Sequence, residues 1–454
     1  MAAHRRSGQS WRWRSPGPSQ SGRRPDDHGK LRRRNQAGVA PNSPSFAVEY
    51  AEWFRDARCL LSLPAMVRIL AGTHSRPCWV NVHANQVGWQ QIIGCFIYER
   101  ARIVNRDDKA GVLRAGIAAP SADNSQPWRF AWCGDDLDLR IDASRSGGAS
   151  DARYVLSDLA AGACLENMII HARSLGYVAD LQTFPRHDDE LWVARIRWRR
   201  DPERDQPEPL DGAIEQRHTD RRFPWGGPIT TDTQARLDDQ ARLIPGQRLY
   251  WPQTPRERRA ALNVIRQAET LRFRSPTLHA ELFSSIRFAA GWHSACEEGL
   301  APATLAVEPP MRPVFQALRR PALMTMLNRL GAASVLGWRS AWLPIRLSPG
   351  LCLLVIPSTA RSGVLAGGRA LQRVWLQATL EGLSVQPYAA AGLLSLGFLS
   401  IEPAFKEPLS RLGAALDDLC APGHGLVFLR LGYARSAPRG RSGRRALGSF
   451  GAFP

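Results

Sequence analysis

The chain has 454 residues, of which 44% are hydrophobic and 22% charged, with a net charge of +19. Most of that charge lies at the ends: residues 1–46 hold ten Lys/Arg against two Asp, and residues 435–454 hold five Arg and no acid. The body between them is only mildly basic, so no specific nucleic-acid partner is expected, because a basic tail by itself gives only salt-sensitive, non-specific attraction.

Residues 1–46 are rich in Arg, Ser, Gly and Pro and poor in apolar positions, which predicts a disordered tail. Residues 47–105 form an unassigned segment, with a short amphipathic helix expected over 47–61 and a strand over Pro77–Val82. A first half spans 106–210. It begins with a helix at 108–118, followed by a polar loop, one strand across 130–141, and a helix from Leu156 to Tyr177 stopped by Gly176. Strands follow at 179–184 and 191–198, then a Pro-rich, charged linker over 200–210. A second half spans 211–434. A helix is expected from Leu210 into Arg217, then a helix over 231–242, a strand over 247–251 and a helix over 255–271. Residues 275–345 read as helical pieces broken by Pro309, Pro310, Pro313 and Pro321. A buried strand at 351–357, a helix at 368–382, a loop after Leu383–Pro387 and a last strand at 425–431 complete the body, before a basic tail over 435–454.

The eight Cys occur singly and never as Cys-x-x-Cys, which removes support for a zinc ribbon or a redox pair. No metal-ligand His pair, carboxylate dyad or Ser–His–Asp set stands out, so no metal is expected. No apolar run approaches the about 20 residues needed to cross a bilayer, and the Arg-rich start lacks the apolar core of a secretory signal. A cytoplasmic protein with no membrane partner is the expectation.

The loop carries the chemistry. By composition, Pro120-Ser121-Ala122-Asp123-Asn124-Ser125-Gln126-Pro127-Trp128-Arg129-Phe130 is a polar turn with an aromatic anchor at its exit. In its order of residues it resembles the signature loop of the nitroreductase family of FMN enzymes. The family's second motif, an Arg-x-Ser/Thr-x-Arg phosphate clamp, has its counterpart at Arg217-His218-Thr219-Asp220-Arg221. Arg and a hydroxyl suit a phosphate, because guanidinium forks make charge-assisted hydrogen bonds.

The resemblance implies an α+β nitroreductase-like fold and an FMN cofactor, with NADPH or NADH as co-substrate. It places Pro120, Ser121, Ala122 and Asn124 against the flavin, with Gln126 and Trp128 holding the loop. It places Arg217, Thr219 and Arg221 on the phosphate, with Asp220 pointing away. Arg444 or Arg445 matches a basic residue the family puts on the phosphate near its C-terminus. Pro387, Tyr388 and Ala389, after the helix at 368–382, fall where a family loop passes the flavin N5. The stretch 275–345 falls where the family inserts material over the flavin, making it a candidate lid. No catalytic side chain is implied, since the flavin N5 carries the chemistry.

One further pattern bears on architecture. Gly162-x-x-Leu165…Ala172-x-x-x-Gly176 matches Gly368-x-x-Leu371…Ala378-x-x-x-Gly382 at a constant offset of 206. In the family this helix packs against its dimer mate. Two copies in one chain imply an intramolecular pseudo-dimer with one flavin site, since loop and clamp each occur once. The expected function is transfer of reducing equivalents from NAD(P)H to an electron-poor small molecule, a nitroaromatic or a quinone, by a ping-pong mechanism. A flavin-sequestering protein and a peptide-heterocycle oxidase stay open as alternatives.

Overall fold

The computed structural model describes residues 66–68, 79–81, 104–201, 208–396, 399–436 and 440–451. The tail at 1–46, the helix expected at 47–61 and the middle of the 200–210 linker lie outside these residues. The chain divides into two units, Met1–Trp89 and Gln90–Pro454. In the first, strands β1 (Met66–Arg68) and β2 (Trp79–Asn81) pair antiparallel.

The second unit holds two antiparallel four-stranded sheets. Helix α1 (Arg106–Ile117) starts at Asn105, whose side chain accepts from the Asp108 N–H, and carries Asp107 and Asp108 in its first turn, where acids favour the helix dipole. Beyond the signature loop come β3 (Trp128–Cys133) and β4 (Asp136–Ile141). The single strand expected over 130–141 is therefore a hairpin. Cys133 pairs with Asp136, and the intervening Gly134 takes φ +65, which a two-residue hairpin turn requires at its first position. Helix α2 (Val155–Ser174) follows, ended by Gly176 at φ +76, and then β5 (Tyr177–Thr183) and β6 (Trp192–Arg200).

The second half opens with a single 3-10 turn, Asp211–Ala213, where a helix was expected. Helix α3 (Thr231–Arg242) is capped by Thr230, and β7 (Arg248–Tyr250) follows. Helix α4 (Pro255–Arg274) starts in a Thr254/Glu257 capping box with Pro255 in its first turn. Then come α5 (Pro276–Ser285), α6 (Arg312–Ala317), α7 (Pro321–Asn328), α8 (Ala332–Gly337) and α9 (Leu343–Arg346), short pieces as the prolines dictate. Strand β8 (Gly350–Ile356), helix α10 (Arg361–Leu380), strand β9 (Leu383–Tyr388), helices α11 (Ala390–Ser395) and α12 (Lys406–Cys420), and strand β10 (His424–Tyr433) complete the unit. Residues 383–388, expected to run into a loop, thus form a strand. Pro387 is tolerated there because β9 is the edge of its sheet.

The strand orders of the two sheets correspond. The first is β3-β4-β6-β5 and the second β7-β8-β10-β9. In each, a long helix, α2 or α10, connects the second strand to the third in chain order. Sheet one alternates buried and exposed residues along β3, as a sheet with one covered face does. Strand β8 is buried throughout, because α3 and α10 cover one face of sheet two while α4, α11 and α12 cover the other.

Helices α2 and α10 cross at the repeated glycines. A Cβ on Gly162 would lie 2.1 Å from the Leu365 carbonyl oxygen, and a Cβ on Gly368 would lie 2.1 Å from that of Leu159. The contact is reciprocal at the offset of 206: residue 162 meets 365 while 159 meets 368. Its polar pairs follow the same axis. Arg361 forks onto Asp158 at 2.7 and 2.8 Å, Arg369 and Arg373 reach Glu166 at 2.7 and 2.8 Å, and Gln372 donates to Asn167 at 2.6 Å.

Candidate functional site

The end of α1 builds the loop. The helix stops at Ala118, Pro120 follows, and a 3-10 turn covers Ala122–Asn124. Asp123, Asn124 and Gln126 take φ of 49, 56 and 52. Left-handed backbone at non-glycine residues is strained and persists only where neighbours hold it. The holders are visible. The Ser121 hydroxyl accepts from the Gln126 N–H at 2.9 Å, and the Gln126 side-chain amide donates to the Glu297 carbonyl at 2.7 Å. Asn124 donates to the Glu297 and Gly443 carbonyls, both at 3.3 Å. Trp128 is fully buried and packs on Phe450 with ring centroids 6.5 Å apart. Gln126 and Trp128 therefore hold the loop.

The clamp is fixed from beneath. The Asp220 N–H donates to the Val385 carbonyl at 2.9 Å, which stitches the motif to the edge strand β9. Buried Arg430, on β10, donates to the Asp220 and Arg222 carbonyls at 2.8 and 2.7 Å. Asp220 forks with Arg222, at 2.9 and 2.7 Å, rather than with Arg217 or Arg221. That leaves both clamp arginines without a direct ion pair among the described residues, although Asp123 and Glu269 favour the charged form of Arg221.

Loop and clamp meet. A cavity of about 280 Å³ is lined by Pro120, Ser121 and Asn124 from the first half and by Arg217, Thr219 and Arg221 from the second. Leu300 and Thr304 of the proline-broken stretch line it too, as do Arg441 and Arg444. Arg217 is buried, stacks 4.5 Å above the Trp375 ring and gives one hydrogen bond, 3.3 Å, to the Ala118 carbonyl. Its Nε is buried with no hydrogen-bond partner among the described residues. Burial, with Arg444 and Arg441 nearby, pushes this guanidinium down to about 9. Arg221 is also pushed down by burial and donates to the Thr304 carbonyl at 3.2 Å. Four arginines against two carboxylates, Asp123 and Glu215, line this small space, and the excess of positive charge suits a small anion bearing several oxygens.

The sequence and the structure part over the remaining residues. Arg444 lines the cavity, but its donors go to main-chain carbonyls. It bonds Ile117 at 2.8 Å, Ala118 at 3.0 Å, Ala119 at 2.8 Å and Gly443 at 2.9 Å, with Asn124 Oδ1 at 3.1 Å. It caps the open C-terminus of α1. Arg445 turns away, donating from its backbone to the Gln126 side chain at 3.1 Å and stacking on Phe450 at 4.3 Å. Arg441, which no motif marked, lines the cavity with one bond of 3.2 Å to the Glu215 carbonyl. Pro387, Tyr388 and Ala389 do not line it. Tyr388 is buried with its hydroxyl on the Ser340 carbonyl at 2.9 Å.

No family model matches the chain. An uncharacterized protein of Mycobacterium tuberculosis (strain CDC 1551 / Oshkosh) is 25% identical over 331 residues, covering 71% of this chain and 45% of that relative. A "Putative NAD(P)H nitroreductase" of the same strain is 33% identical over 113 residues, covering 24% of this chain and 32% of the relative. The chain thus spans less than half the length of the curated relatives it matches. Among solved structures, an FMN-bound nitroreductase from Bacteroides fragilis is 12% identical with a TM-score of 0.29, covering 50% of this chain and 90% of that one. The FMN-dependent nitroreductase NfnB from Mycobacterium smegmatis, in complex with NADPH, is 15% identical with a TM-score of 0.30, covering 53% and 96%. A likeness of that size bears no conclusion by itself.

Proposed function

We propose that this chain is a nitroreductase-like flavoprotein that binds one FMN between its two halves and passes reducing equivalents from NAD(P)H to an electron-poor small molecule. The observation that carries the reading is the convergence of Pro120, Ser121 and Asn124 with Arg217, Thr219 and Arg221 on one cavity where arginines outnumber the two lining carboxylates, Asp123 and Glu215, and where buried Arg217 has no ion pair among the described residues. A phosphate is the natural complement of such a set. The identity of 33% over 113 residues to a protein named "Putative NAD(P)H nitroreductase" supports it.

The residues fit the phosphate of FMN. Arg217 and Arg221 would hold its phosphate, with the Thr219 hydroxyl and Arg441 beside them. Ser121 and Asn124 offer polar groups from the other half. Bound there, FMN would supply the hydride chemistry. The chain's own contribution is to keep the loop in its strained form through Arg444 and Gln126, and to close the cavity with Leu300 and Thr304.

The corresponding strand orders, the reciprocal crossing at Gly162 and Gly368 and the single copy of each motif support an intramolecular pseudo-dimer acting as a monomer. Helix α3 stands where α1 stands in the first half. The connection after it, Leu243–Gln247, is a five-residue turn with no counterpart of the signature loop. One flavin per chain follows.

The test is direct. Purified protein should be yellow, and anaerobic NADPH should bleach it. A yellow protein that NADPH leaves oxidised would replace the enzyme with flavin sequestration, and a colourless protein that takes up no added FMN would end the flavin reading.

A further inference from the structure

On the other side of the signature loop lies a larger chamber of about 490 Å³, and Ala122, expected against the flavin, lines this chamber and not the arginine cavity. Ala122, Asp123 and Ser125 form one wall, the β4–α2 connection a second, and α5 with Glu298 a third. Asp123 lines both this chamber and the arginine cavity. The size suits a nucleoside-scale ligand, since small-molecule sites run from about 300 to 1,000 Å³.

The chemistry of the walls narrows the occupant. Seven of the seventeen lining residues are serines, and Ala122 and Leu156 are the only apolar side chains among them. An apolar aromatic ring would meet hydroxyls and charges on every side, at the cost of desolvating them. The two cations are already engaged: Arg145 pairs with Glu298 at 2.8 Å, and Arg287 lies 3.7 Å from the same carboxylate. Glu281 accepts the Ser150 N–H at 3.0 Å and Asp151 accepts from the Ser157 hydroxyl at 2.6 Å and the Leu156 N–H at 2.8 Å. With Asp123 and Glu298 these make four carboxylates against two arginines, so an anion is repelled. The arginine cavity across the loop has the opposite character.

We propose that the chamber is a second ligand site, for a hydroxyl-rich, non-anionic small molecule of nucleoside size. The claim stands on the chamber's own walls and does not rest on the function proposed above. Hydroxyls of the ligand would donate to Glu281 and Asp123 and accept from the Ser125 and Ser150 hydroxyls.

The experiment uses the full chain, with inorganic phosphate in excess to fill the arginine cavity, and measures adenosine and adenosine 5′-monophosphate by saturation-transfer NMR and calorimetry. Adenosine should bind, and its monophosphate at least tenfold more weakly. Ser150→Leu, which puts an isobutyl group into the chamber, should abolish adenosine binding, and Ser284→Trp at the rim serves if that variant does not fold. Glu298→Gln, which releases Arg145 and Arg287, should narrow the gap between the two ligands. Equal binding of both by the unaltered chain, no adenosine binding, or adenosine binding that survives a folded chamber-filling variant would each overturn the proposal. The visible spectrum of the same samples reports FMN separately, so failure of the flavin reading is seen independently of this result.

Discussion

Arg217 and Arg444 line the same cavity, carry the same charge and do different work. Arg217 holds a buried charge with one carbonyl and one aromatic face for company, and its Nε has no partner among the described residues. Arg444 spends its donors on six oxygens and fixes the end of α1 to the loop. Removing Arg217 deletes a buried charge that the chain's own groups barely compensate, so Arg217→Ala should keep or slightly raise the unfolding free energy. It should lose the phosphate contact, worth on the order of 1.5–3 kcal/mol, or roughly tenfold to a hundredfold in FMN affinity. Arg444→Ala should do the reverse at first order: it strands the Ile117, Ala118 and Ala119 carbonyls and lowers stability by about 2 kcal/mol or more, with flavin lost as the loop slackens. Urea titration beside flavin retention separates the two. A large stability loss in Arg217→Ala alone would mean its role is structural. The clamp was legible in the sequence because its residues sit within five positions. The role of Arg444 was not, because the acceptors that tie it to α1, the Ile117, Ala118 and Ala119 carbonyls, lie more than 300 positions away, and a carbonyl has no signature.

At the scale of elements, most helices were visible as apolar periodicity, and α3 falls on the expected 231–242. The β3–β4 hairpin was hidden because the alternation of Phe130 and Trp132 resumes at Leu137 and Leu139 across the turn. Helix α12 went unassigned although Leu409, Leu412 and Leu416 are buried at helical spacing. The repeated glycines were legible as a pattern, and the structure supplies their reason: the α2 and α10 backbones touch there, leaving no room for a methyl group. Gly162→Ala should therefore force the helices apart and cost about 2–3 kcal/mol, the scale of an overpacked core. Thermal and denaturant midpoints measure it, and an unchanged midpoint would mean the crossing is looser than the structure has it. Glu166→Ala tests the flanking ion pairs. It leaves Arg373 without its short carboxylate contact in the interior, which should cost about 3 kcal/mol or more.

For the whole molecule, the matching strand orders could not be read from sequence, since the second half carries α4 to α9 between β7 and β8 and α11 and α12 between β9 and β10. Those insertions dilute any internal alignment, and only the α2/α10 match survived as residues. Asn124 and Arg217, 93 positions apart, line one cavity of one chain. A site built this way should form without a second copy. Mixing an Asn124→Ala chain with an Arg217→Ala chain should then restore no flavin binding, because neither chain offers an intact loop and clamp together. The most direct measurement is sedimentation of the yellow protein, following protein and flavin absorbance in the same run. The account predicts one FMN per chain, travelling with particles of single-chain mass. Flavin confined to two-chain particles, with binding restored on mixing the two variants, would place the site between chains and contradict it.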